Sequence, residues 1–453
     1  MKTPTIIALL IFMLAACGPV PTEQPVSPTG TSVPTNTPIP PTTTILPTGT
    51  PSPTPTPLPL TPLDGLRISY IVDGNLYLQD SGEQPVQLTD GGEDHTPIFS
   101  DDGEKIVFFR GNLPREMYSI NADGNQEQLL VTSSLLTSLG VGYSEFTEPR
   151  TFTFVPGTHQ LLFSTHELDP LYIQTGNIVD WYGSKPSQDL LIIDTDSTEI
   201  EELRAPGQGG PFLVSPDGKM VAIQAREHID VIRLNGEVIR QNLAAYPAAW
   251  LYLWESELHW SQDSNELSIV LPIPTAGALD YTGPEPRTVL QNSLDGNPGV
   301  EVRFSPPPMG DFFSISPDGN WVVYNFTDAA RKTNEVAVPG IYIGNLRDGD
   351  SKLIDSEKII DLPYSFVWNP GSTHFIFSDG QDHLFLGDIN GEITQPATGL
   401  FLGWIDDNRY VFLNGGVAMG EIGKEENVRV IQLPSGIIPK DFAFVFPTSK
   451  AGQ

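Results

Sequence analysis

Cysteine is nearly absent. The 453 residues hold a single one, Cys17, so no internal disulfide braces this fold. Positive charge is scarce too: 24 Lys and Arg stand against 56 Asp and Glu, a formal net charge of −32. A surface that negative repels phosphate backbones, which excludes nucleic acid as an expected partner and leaves cationic groups tolerated. Histidine occurs 7 times, with no metal-ligand spacing. No EF-hand-type loop, no Gly-rich phosphate loop before a helix and no G-x-S-x-G elbow occurs. From the sequence alone we therefore assign no catalytic residue, no cofactor and no metal. Long apolar runs are missing as well. Residues 6–16 form an apolar stretch near the start, well short of the roughly 20 residues a membrane-spanning helix needs.

That short stretch follows Lys2 and ends in Leu14, Ala15, Ala16 and Cys17, the order of a signal-peptide core with small residues at its end. It resembles the lipobox of bacterial lipoproteins. The resemblance implies a signal peptide over 1–17, a diacylglycerol thioether on Cys17 and an extracytoplasmic chain anchored to the bacterial membrane. Residues 18–62 are nearly all Pro, Thr, Ser and Gly. They cannot bury a core and read as a disordered stalk. At about 3.1 Å per residue in polyproline geometry, the stalk reaches on the order of 100 Å. Lys2 and Glu23 are its only charges and those of the leader, so the whole acidity belongs to residues 63–453.

From residue 63 onward the text changes to short strands and tight turns. Segments of one plan recur: "PIFSDDGEKIVFF" (97–109), "FTFVPGTHQLLFS" (152–164), "FLVSPDGKMVAIQ" (212–224), "LHWSQDSNELSIV" (258–270), "FSISPDGNWVVYN" (313–325), "FVWNPGSTHFIFS" (366–378) and "LGWIDDNRYVFLN" (402–414). In the fullest version Pro presets φ, Asp caps the backbone and Gly supplies a positive φ. A second hairpin follows each, often centred on Asn-Gly or Asp-Gly, as in "HIDVIRLNGEVIRQNL" (228–243). Two hairpins make four antiparallel strands, and a repeat of on the order of 50 residues is the size of a propeller blade with its loops.

With its "SPDG" turns before apolar strands, the chain resembles the TolB-like, PD40-type β-propeller repeat family over roughly residues 65–447. Ser215–Lys219 and Ser316–Asn320 carry the full motif; the other copies lack the Pro or the Asp. The resemblance implies an all-β propeller of four-stranded blades. Residues 67–89 hold three strands and lack an inner one, while 440–447 form a lone strand with no successor. Supplying the one with the other closes the ring and removes its edges. Eight blades are expected, seven being the alternative, in one domain spanning 63–453.

In such a blade the a–b and c–d turns open on one rim and the b–c and d–a connections on the other. The long insertions, 133–149, 165–188, 244–257, 272–287 and 327–340, all belong to the second class. Long loops on a rigid scaffold are where binding concentrates. Their aromatic and polar residues suit a sugar, a peptide or a cationic group, and an equally open reading is that the rings pack the loops onto the blades. The candidate ligand-binding residues are Tyr143, His166, Asp180, Trp181, Tyr182, Trp250, Trp254 and Tyr281. The expected function is a monomeric binding or scaffold module for an envelope protein, peptide or glycan, held to the lipid bilayer through Cys17. An enzyme acting on a polysaccharide or peptide in the central funnel is the alternative, and a purely structural envelope protein a third reading.

Overall fold

The computed structural model describes residues 60–140, 147–167, 185–186, 189–225, 228–245, 257–271, 288–294, 299–303, 313–326, 338, 340–355, 365–379, 381–434 and 441–447. The chain divides into two units, Met1–Thr56 and Pro57–Gln453. Every described residue belongs to the second; residues 1–17, expected to be a signal peptide ending at Cys17, and 18–59 of the expected stalk lie outside the described residues. Among the described residues no helix is long and apolar enough to cross a membrane.

The second unit is an eight-bladed β-propeller. Each blade is an antiparallel sheet, and in blades 2 to 8 the strands a to d, from the axis outward, follow one another in sequence. Blade 2 shows the pattern: Asp94–Phe99, Lys105–Arg110, Glu116–Asn121 and Gln128–Val131. Blades 4 to 8 occupy 212–245, 257–303, 313–355, 366–398 and 400–431. Blade 3 is extended. Its a and b strands, Thr147–Phe154 and Gln160–Glu167, are both eight residues long. The short strand Lys185–Pro186 pairs with the end of strand b, making a five-stranded sheet. The one helix among the described residues, Ser133–Leu139, precedes blade 3 and is capped by Thr132, whose side chain accepts from the Leu135 N–H.

Blade 1 is the composite that the strand count demands. Arg67–Val72, Asn75–Asp80 and Val86–Gln87 lack an inner strand, and Phe442–Val445 supplies it, pairing antiparallel with Arg67–Tyr70. Before blade 1 the chain also joins the far side of this seam: the Thr61 N–H donates to the Arg429 carbonyl at 2.8 Å on the outer strand of blade 8.

Apolar side chains gather into eight clusters, one between each pair of neighbouring blades. Successive residues of a b strand serve opposite neighbours. Ile106 and Phe108 pack toward blade 1, Val107 and Phe109 toward blade 3. A strand covered on both faces must be apolar at every position, which is why "KIVFF" shows no alternation. The cluster between blades 8 and 1 joins Val411 and Val417 to Ile68, Tyr70, Phe442 and Phe444, so the ring is closed by packing as well as by pairing.

Candidate functional site

The repeated turn is a rivet. In blades 2, 4, 5 and 6 the Ser hydroxyl donates to the Asp carboxylate two residues on, at 2.7, 2.7, 2.7 and 2.6 Å. The same hydroxyl accepts the N–H that opens strand b, as from Met220 and Trp321 at 2.9 Å. Gly218 and Gly319 stand at φ +68°, where any side chain is strained. Neighbouring turns are bonded to one another: the Gly157 N–H to Asp101 at 2.9 Å, Asp217 to the Ser264 hydroxyl at 3.1 Å, and Asp318 to the Ser372 hydroxyl at 2.9 Å. Just inside this ring, Trp260, Trp368 and Trp404 each donate an indole N–H to an inner-strand carbonyl of the preceding blade, those of Leu213, Ser314 and Val367, at 3.1, 2.9 and 3.0 Å. The turn rim is thus braced by its own residues.

The other rim is built differently. Because every blade runs a to d in the same sense, the strand ends that bracket 132–146, 168–184, 246–256, 272–287 and 327–339 all lie on the rim opposite the SPDG-type turns. Tyr143, Asp180, Trp181, Tyr182, Trp250, Trp254 and Tyr281 fall in these stretches and lie outside the described residues.

His166 is described, and its place differs from the sequence expectation. It belongs to strand b of blade 3 rather than to the insertion after it, with Glu148 and Pro186 as cross-strand partners. Strand b runs on to Glu167 because both its neighbours are extended to pair with it. The imidazole Nδ1 is buried with no hydrogen-bond partner among the described residues. Burial, aided by the Arg150 charge, pushes the His166 pKa down to about 4, so the ring is neutral at ordinary pH. Glu148 shows the complementary shift: burial raises its carboxyl, against the pull of Arg115, whose Nε lies 3.9 Å away.

Further polar groups are buried around the same end of the blade. Asp189, fully buried, accepts from the Thr165 N–H at 2.7 Å and its hydroxyl at 2.6 Å, yet burial still raises its pKa. The Thr147 hydroxyl is buried with no partner among the described residues. Gly140 lies so near that a Cβ there would fall 2.6 Å from Glu167 Oε1. A neutral imidazole beside a carboxyl of raised pKa, two arginines and unpartnered hydroxyl and imidazole groups can exchange hydrogen bonds with hydroxyl, amide or carboxyl groups of a ligand. Glu148, Glu167, Thr147, Asp189, Arg115 and Arg150 were not singled out from the sequence. The usable signal was the run "THE" after the apolar "LLFS", polar residues where a strand should have ended.

No family model and no curated protein sequence matches the chain. Among solved structures it is similar to an oligogalacturonate lyase in complex with manganese, at 15% identity and a TM-score of 0.44, covering 69% of this chain and 81% of that one. An oligogalacturonate lyase from Vibrio parahaemolyticus gives 15% identity, a TM-score of 0.43 and coverages of 71% and 83%. AztD from Citrobacter koseri gives 11% identity, a TM-score of 0.45 and coverages of 84% and 97%. These neighbours are β-propeller proteins, and at such identities what they share with this chain is that fold alone.

Proposed function

We propose that this chain is a lipoprotein of the cell envelope, held to the bilayer through acylated Cys17, whose propeller binds a protein, peptide or glycan on the rim that carries the long connections. The observation behind this reading is the asymmetry of the ring. One rim has short turns bonded to one another. The other receives both ends of every long connection and holds the unsatisfied polar groups around His166. Ordering a long connection costs conformational entropy, so keeping them on one rim is best explained by a ligand there. The aromatic residues of those connections would supply flat apolar contact, and His166 a neutral hydrogen-bonding group. The Pro/Thr-rich stalk would carry this rim clear of the bilayer. The test is a glycan and peptide array probed with the purified protein and with its Trp181→Ala, Tyr182→Ala double variant. Binding lost in the double variant, with an unchanged melting temperature, supports the reading; binding retained rejects it.

A further inference from the structure

On the turn rim, far from the groups around His166, one imidazole is held between two carboxylates. His159 follows the a–b turn of blade 3. Its Nδ1 lies 2.8 Å from Asp196 Oδ2, in the c–d turn of the same blade, and its Nε2 lies 3.0 Å from Asp102 Oδ2, in the a–b turn of blade 2. Each partner is itself fixed. Asp196 Oδ1 pairs with the Nζ of Lys105 at 2.7 Å, and the Lys105 side chain is 3% exposed. Asp102 accepts from the Ser100 hydroxyl at 2.7 Å and the Glu104 N–H at 3.0 Å. The Thr195 hydroxyl holds the His159 carbonyl at 2.8 Å.

A neutral imidazole has one N–H and one lone pair. If the N–H is on Nδ1 and donated to Asp196, the Nε2 lone pair faces the Asp102 carboxylate with nothing between them. Two electron-rich atoms at that separation call for a cation, which is either a proton or a metal ion. A carboxylate on one imidazole nitrogen, with the other nitrogen directed at further carboxylates, is the arrangement by which proteins orient a metal-ligating histidine. Asp102, Glu104 and His159 can each present one ligand atom, all within 4.8 Å of one another.

We propose that His159 Nε2, Asp102 and Glu104 bind a divalent transition-metal cation of the zinc class, with Asp196 as the positioning residue for the imidazole. One nitrogen and two carboxylate oxygens suit zinc, with a fourth position for water. Magnesium, which prefers six oxygens in an octahedron, is a poor match. Lys105 pairs with Asp196, and Asp102 and Glu104 supply the two carboxylates of the ligand set. Metal entry replaces the proton: the imidazolium gives up its Nε2 proton to solvent as the Nε2–metal bond forms. The site spans two blades, so an ion there ties the turns of blades 2 and 3 together.

The test uses the purified chain carrying Cys17→Ser, so that no thiol competes, titrated with Zn2+ alone by calorimetry near neutral pH. The expected result is one ion per chain, proton release seen by comparing two buffers, and a higher melting temperature; Mg2+ gives none of these. His159→Gln and Asp102→Asn should each weaken Zn2+ binding at least about 10-fold, and Asp196→Asn by about 10-fold through the imidazole. Should a change within the turns prevent folding, Glu104→Gln, at an exposed side chain, provides the same reading. Absence of stoichiometric Zn2+ binding to the folded protein overturns the proposal. So does an affinity unchanged in His159→Gln, or in Glu104→Gln where His159→Gln does not fold.

Discussion

Gly403 lies in the inner strand of blade 8, Leu400–Trp404, and the Phe444 ring of the closing strand rests on it. A Cβ at Gly403 would fall 2.4 Å from Phe444 Cζ and 3.2 Å from Cε1. Gly403 is not among the residues with positive φ, so alanine there meets no backbone strain and the collision is the whole cost. The ring has little room to swing, because Phe444 packs into the cluster of Ile68, Tyr70, Val411 and Val417 and stands edge-on to Phe446 at 6.4 Å. Overpacking of this kind costs about 1–3 kcal/mol, and the stiffer unfolded chain returns about 0.4–1 kcal/mol. Gly403→Ala should therefore destabilise by about 1–2 kcal/mol. Phe444→Ala removes a half-buried ring, roughly half of the 3–5 kcal/mol for a fully buried one, so about 2 kcal/mol. The double variant has no collision left and should cost about 1–2 kcal/mol less than the sum of the single changes. Urea unfolding followed by tryptophan fluorescence measures all three. Costs that add to within about 0.5 kcal/mol would mean the two residues do not touch, and the reasoning about closure would fail.

Three other outcomes follow from the same structure. His166, with a folded pKa of about 4 against 6.5 for the ordinary group, contributes stability present above pH 6.5 and lost as pH falls toward 4; the loss is on the order of 3 kcal/mol, and His166→Gln should flatten melting curves over that window. An unaltered slope in His166→Gln would contradict the burial argument. Trp368→Phe keeps most of a buried ring but removes the indole bond to the Ser314 carbonyl, and should cost about 0.5–1.5 kcal/mol in chemical denaturation; a neutral change would show that the indole bond is dispensable. Cys17→Ser should move the protein from the membrane pellet to the soluble fraction on cell fractionation, and unchanged pelleting would exclude the lipid anchor.

Much of the fold was legible because its signals are local. "SPDG" specifies its own turn through Ser, Asp and Gly, and the closing strand follows from counting, since three strands at 67–89 and one at 440–447 leave a single way to avoid an open edge. The helix Ser133–Leu139 was not legible: it is only seven residues long, too short for a 3.6-residue period to stand out within the insertion 133–149. The end of strand b in blade 3 was hidden because Thr165 and His166 break the apolar run while the ladder continues. The His159 group could not be read at all. His159 and Asp196 meet across two turns of blade 3, Asp102 joins them through the stacking of blade 3 on blade 2, and spacing along the chain carries no trace of either.

The central functional claim is that ligands meet the rim of long connections and not the rim of bonded turns. The most direct measurement is hydrogen exchange of the protein with and without the tightest array ligand. The account predicts slowed exchange in 168–184, 246–256 and 272–287, with 100–104, 215–219 and 316–320 unchanged. Protection confined to those turns, with the long connections unaffected, would contradict it.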